Sequence, residues 1–179
     1  MKILSLQIIS ILIFNSLLFS QRSIPCIEHF DYTIGAIITV GGPDWNHLAG
    51  ANDYMVVAGN LTYPGYEMPA TGNQIGVTSS ATEDVKLIFS PQTGSGTKVY
   101  ASFLLNVSNG TGLTTAGTVF ADLGTGIVFP SQGARIYIRR NVTSTNFNLS
   151  VGRSNILTSP PTIYSSDLSF STTHLIVVC

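Results

Sequence analysis

Short runs of alternating apolar and polar residues recur along most of the chain, separated by clusters of Gly, Pro, Asn and Ser. Asp84–Ser90 sets Val85, Leu87 and Phe89 against Lys86, Ile88 and Ser90. Ala134–Arg140 sets Ile136 and Ile138 against Arg135, Tyr137 and Arg139. Asn146–Arg153 sets Phe147, Leu149 and Val151 against Asn146, Asn148 and Ser150. Successive side chains of a strand point to opposite faces, so each run reads as a half-buried strand. Phe30–Val40, Tyr54–Tyr63, Asn73–Thr78, Gly117–Gly124 and His174–Cys179 are read as further strands. No window after residue 20 keeps the spacing of an amphipathic helix. A parallel sheet needs crossover helices, so the strands are expected to be antiparallel. The pattern predicts an all-β fold, an antiparallel two-sheet β-sandwich of jelly-roll type. Thr93–Lys98 reads as a hairpin turn, and Leu157–Asp167 as a loop that crosses between sheets.

The segment Lys98–Gly112, KVYASFLLNVSNGTG, has the clearest parity. Val99, Ala101, Phe103, Leu105 and Val107 make a fully apolar face, whereas Tyr100, Ser102, Leu104, Asn106 and Ser108 make a mixed one. A second sheet packed on the first is what buries such a face. The segment therefore predicts a core strand opening into a polar hairpin turn at Asn109-Gly110. Tyr100 and Leu104 are left on the outer face, where a ligand could dock.

At the N-terminus, Lys2 precedes an apolar run from Ile3 to Phe19. Its length sits at the low edge of what spans a bilayer, so residues 1–20 read as the helix of a signal peptide, cut near Ser20-Gln21. A retained anchor is the alternative. Lipid attachment at Cys26 fits poorly, because Pro25 stands where a small residue is required. Residues 21–179 then form a single domain, secreted or held at the cell surface, with the membrane met only through the signal peptide. Export implies an oxidising compartment, and Cys26 and Cys179 become candidates for a disulfide that joins the chain ends. Two unpaired thiols are the other reading.

Composition narrows the function. Only 9% of the 179 residues are charged, against about 25% in ordinary globular proteins. The surface must be built from Ser, Thr, Asn, Gly and Gln. With a formal net charge of −1 there is no basic field, and nucleic acid is not expected as a partner. No metal or cofactor is expected. His29 and Asp31 share strand parity, and Asp44 and Asp53 follow in a loop, but no Asp-x-Asp cluster forms; structural calcium is a weak alternative. No Gly-x-Ser-x-Gly elbow is present, and Thr93–Lys98 lacks the spacing of a phosphate loop. Carbohydrate is the better prospect. Pro43–His47, PDWNH, reads as a loop holding the only Trp, and Trp45, Asn46 and Tyr66 are the candidate ligand-binding residues. Against this, Trp45 could tuck over a sheet edge and cap the core. Asn60, Asn106, Asn109, Asn141 and Asn148 all fit the N-glycosylation tripeptide, and in a chain this rich in Asn, Ser and Thr they are read as incidental.

Several segments occur in a suggestive order: EHFDYTIGAII, VVAGNLTYPGY, ATGNQIGV, EDVKLIFS, GTKVYASFLLNVS and FSTTHLIVV. Together they resemble a LamG-like, concanavalin A-type jelly-roll domain of secreted bacterial surface proteins, over roughly Glu28 to Val178. The resemblance implies the same sandwich, and further strands after the one resembling THLIVV, so the domain is expected to be truncated at its C-terminus. It also implies that N-glycosylation tripeptides go unused. Glucanases of that architecture place two carboxylates on one face of a strand, and no such pair occurs here, Glu83 and Asp84 being adjacent. The expected function is thus a non-catalytic exported module for cell-surface adhesion or carbohydrate recognition. A ligand-free structural spacer of a larger secreted protein is the alternative, and a degenerate glucanase-like fold the third.

Overall fold

The computed structural model describes residues 21–51, 53–66, 71–125, 132–143, 145–153, 161 and 163–179. Residues 1–20, on which the signal-peptide expectation rests, lie outside them. The elements are β1 (Gly35–Ala36), α1 (Ile37–Val40), β2 (Trp45–Ala49), β3 (Met55–Val57), β4 (Gln74–Gly76), β5 (Asp84–Leu87) and β6 (Ala101–Asn106). There follow β7 (Thr118–Thr125), β8 (Gln132–Arg140), β9 (Asn146–Arg153), β10 (Leu168–Ser169) and β11 (Thr173–Val178). The fold is nearly all β. Its sheets run in the orders β1-β3-β4, β10-β9-β8-β7, β11-β6 and β2-β5, with every strand pair antiparallel. Among the described residues no helix is long and apolar enough to cross a membrane.

The main core follows the predicted parity. In β8 and β9, Ile138 stands opposite Leu149, and Phe147, next to it on the same face, is fully buried. Leu105, Val107, Phe120, Leu168, Phe170 and Ile176 pack against these three. One face of the four-stranded sheet therefore buries itself under the β6–β11 pair, a sandwich-like contact of two sheets. Rings add specificity: Phe147 stacks on Phe170 at 5.7 Å, and Phe103 meets Phe120 edge-on at 6.2 Å. A bulge between Val119 and Ala121 shifts the β7–β8 register and lets β7 follow the twist. A smaller apolar centre lies at the other end of the chain, where Ile37 and Val56 are fully buried.

The structure departs from the pattern at several elements. Phe30–Val40 is not a strand: only Gly35–Ala36 pairs, and Ile37–Val40 makes one helical turn closed by Gly41 N–H on Ile37 C=O at 2.8 Å. A short apolar β-branched run does not separate the two states by periodicity. Pro43–His47 is not all loop, because β2 begins at Trp45 and pairs with β5. Gly94–Thr97 does form a turn, with Gly96 at φ +78° in its third position, as a type II turn requires. It is no hairpin: β5 pairs with β2, and β6 with β11. Likewise the Asn109 turn forms, with Thr111 N–H on Asn109 Oδ1 at 2.8 Å, but β6 does not fold back on β7.

The polar face of β8 and β9 is also buried. Arg135, Asn148 and Ser150 are each at most 9% exposed. Residues 163–167 lie across Asn148 and Ser150 instead of crossing between sheets. Asn148 Nδ2 donates to Ser165 O at 3.2 Å and to Asp167 Oδ1 at 2.8 Å, and Ser150 donates to Ile163 O. The rest of Leu157–Asp167, residues 157–160 and 162, lies outside the described residues.

Cys26 and Cys179 are free thiols, so the disulfide expected to join the ends is not formed. Each has its own neighbourhood. Cys26 Sγ accepts from the Arg22 guanidinium at 3.9 Å. Cys179, beyond β11, hydrogen-bonds the exposed Tyr100 and pushes its phenol up from the ordinary range.

Candidate functional site

The N-terminal segment is tied to the sheets by its backbone. Arg22 N–H donates to Ile88 O at 3.0 Å and Ser90 N–H to Arg22 O at 2.9 Å, which sets Arg22 beside β2 and β5. From there its guanidinium reaches Asp44, Glu28 at 3.2 Å and Ile27 O at 3.1 Å. Glu28 gathers further donors: Phe30 N–H at 2.7 Å, Tyr32 O–H at 2.9 Å and Trp45 Nε1–H at 3.1 Å. The hydrogen bond to Asp44, then the charges of Glu28 and Asp44, push Arg22 up from its already high value. Burial, then the hydrogen bond to Glu28, push the Tyr32 phenol up to about 12.

This network fixes Phe30, whose backbone sits at φ +51°, a left-handed conformation that a bulky residue adopts only when its surroundings hold it there. Its carbonyl accepts from Asn73 N–H at 3.2 Å, and its ring stacks on Trp45 at 5.7 Å. The other side of that clamp is a groove of about 400 Å³. Phe30, Tyr63 and Tyr66 contribute aromatic rings to its wall, Asn60, Asn73 and Gln74 amides, and Thr62, Thr71 and Ser102 hydroxyls. Ser102 and Leu104 come from the outer face of β6, the face on which parity placed Leu104.

The three residues singled out from sequence part company here. Tyr66 lines the groove; Trp45 and Asn46 do not. Trp45 stands behind Phe30, its indole N–H taken by Glu28, which is the capping role rather than the exposed platform. Asn46 turns its amide back on Pro43 O and Asp44 O, at 3.1 Å each. The groove residues Asn60, Tyr63 and Gln74 were missed, since they belong to three separate segments. Only Tyr63, next to Tyr66 in the Tyr-Pro-Gly-Tyr turn, carried a readable signal.

Among the described residues Glu28 is the only carboxylate in the groove wall, and its oxygens are committed to Arg22, Trp45, Tyr32 and Phe30. Hydrolysis by a carboxylate pair would need a second one across the cleft. Among the described residues no group of three His, Cys, Asp or Glu side chains could hold a metal ion. The aromatic rings, amides and hydroxyls of the described wall offer stacking and neutral hydrogen bonding. No protein-family model, curated protein or solved structure matches the chain.

Proposed function

We propose that the chain is an exported, non-catalytic β-sandwich module that recognises carbohydrate at the cell surface, with the Phe30–Tyr66 groove as its binding site. The observation that carries this reading is the groove's wall. Tyrosine rings beside amides and hydroxyls suit a sugar, whose C–H faces stack on aromatic rings and whose hydroxyls both donate and accept. At about 400 Å³ the groove is of a size for a small ligand. Among the described wall residues the carboxylate, Glu28, is neutralised by Arg22, which favours an uncharged saccharide here. The jelly-roll topology and the resemblance to LamG-like domains belong to the same proposal, as does export by residues 1–20.

A glycan array of plant, algal and bacterial polysaccharides, probed with residues 21–179, tests it. Binding is expected to at least one neutral polysaccharide, and Tyr66→Ala should weaken it at least tenfold in calorimetry. Binding to none of them would return the chain to a ligand-free spacer.

A further inference from the structure

Five tripeptides of the chain fit Asn-x-Ser/Thr, at Asn60, Asn106, Asn109, Asn141 and Asn148, and the fold treats them differently. Asn148 is buried, its Nδ2 donating to Ser165 O and to Asp167 Oδ1. Asn141 is committed at both ends of its amide. Its Oδ1 accepts from Thr145 N–H at 3.2 Å and Asn146 N–H at 3.4 Å, and its Nδ2 donates to Asp167 Oδ2 at 3.1 Å. Asn60 lines the groove. Asn106 is held in β6 opposite Thr173, and the middle residue of its tripeptide, Val107, packs on the core.

Asn109-Gly110-Thr111 differs from all four. Asn109 and Thr111 are both exposed. Gly110 between them is pressed inward: a Cβ there would stand 3.0 Å from Phe170 Cζ and 3.1 Å from Arg140 Cδ. The turn is thus anchored through its middle residue, while the two residues that define an acceptor stay accessible. Thr111 N–H donates to Asn109 Oδ1 at 2.8 Å, and Nδ2 reaches Ser108 Oγ at 3.5 Å, longer than an ordinary hydrogen bond. The bond to Oδ1 closes within the tripeptide, so the turn does not wait for the sheets to assemble. We propose that Asn109 is an N-glycosylation site, modified from an oligosaccharide carried on a polyprenyl diphosphate. Charge drawn onto Oδ1 makes the Nδ2 protons easier to lose. Nδ2 bonds to the anomeric carbon and gives one proton to a base of the transferase. The bond from that carbon to the diphosphate oxygen breaks, and its electron pair leaves with the diphosphate. The glycan is bulky and solubilising, which suits a chain with only 9% charged residues. Of the proposed function the site needs export alone, not the groove and not the bacterial resemblance.

The test expresses two versions in cultured animal cells: the full chain, and residues 21–179 behind an established secretory leader. Peptide-N-glycosidase treatment in heavy-oxygen water converts each modified Asn into labelled Asp, which mass spectrometry locates. The label separates a glycan from spontaneous deamidation at Asn109-Gly110 before treatment. Asn109 is expected to carry label in at least half of the secreted molecules, at least tenfold above Asn148. Thr111→Ala keeps the backbone N–H but removes the hydroxyl of the acceptor, and should cut the Asn109 label at least tenfold. Thr111→Ser should restore it, and unchanged circular dichroism verifies the fold of each variant. Modification of the leader version alone sustains the site and sinks export by residues 1–20. Asn109 unlabelled in both versions, label equal at Asn109 and Asn148, or label that survives Thr111→Ala overturns the proposal. Failure of the glycan array leaves this result standing.

Discussion

Glu28 draws donors from four residues, and the consequences are visible one side chain at a time. Its contacts make Trp45 a brace for Phe30 and hold Tyr32 protonated far into the alkaline range. An unfolded tyrosine titrates near 10, whereas Tyr32 in the fold titrates near about 12. Between those values the native state keeps a proton that the unfolded chain has lost. The stabilisation is therefore complete below about pH 10 and disappears as the pH rises to about 12. An absorbance titration at alkaline pH should resolve this late component, and Tyr32→Phe should remove it. A titration unaltered by Tyr32→Phe would mean that the phenol does not sit against Glu28. At the same scale, burial decides between the N-glycosylation tripeptides. Asn148 is 4% exposed and its Nδ2 is already donating twice, so it is closed to modification. Nothing in the tripeptide itself marks that difference.

Strands show how far pattern reaches. β9 spans Asn146–Arg153, the residues whose alternation predicted it, because its Phe147–Leu149 face and its partners fall on one period. β6 is equally legible: Phe103 and Leu105 pack inward while Ser102 and Leu104 face the groove. The reading failed where a strand's environment comes from residues remote in sequence. Arg135, Asn148 and Ser150 alternate as a solvated face would, yet all three are buried, Asn148 and Ser150 beneath residues 163–167. That cover depends on Asn148, so Asn148→Ala tests it. The substitution strips Ser165 O and Asp167 Oδ1 of a donor and should cost about 1–3 kcal/mol in urea unfolding. Hydrogen exchange should locate the damage. The Ser165 amide, bonded to Leu149 O at 2.7 Å, should lose protection, while amides between β7 and β8 keep theirs. Equal loss in both places would assign Asn148 to the general core instead. The groove was illegible for a similar reason: Asn60, Gln74 and Ser102 meet only because β4, β6 and the turn after β3 converge.

For the whole molecule the question is whether two apolar centres act as one. Ile37 and Val56 are buried near the N-terminal sheets, and Phe147, Ile138 and Leu149 in the four-stranded sheet. β6 touches both regions: its inner face meets Phe120 and the main core, and its outer face shares the groove with β4. A strand buried against one sheet and facing another couples their stabilities, because neither can release it without exposing apolar surface. The only tryptophan, Trp45, reports the N-terminal region, whereas far-ultraviolet circular dichroism reports mainly the longer strands β7 to β9. The two signals should follow a single urea transition, with midpoints agreeing within experimental error. Substituting the buried Phe147 with Ala should cost about 3–5 kcal/mol and lower both midpoints together, even though Phe147 and Trp45 belong to different sheets. If the fluorescence midpoint stayed in place while the dichroism midpoint fell, β6 would not be transmitting stability. The groove would then belong to an N-terminal unit that folds on its own.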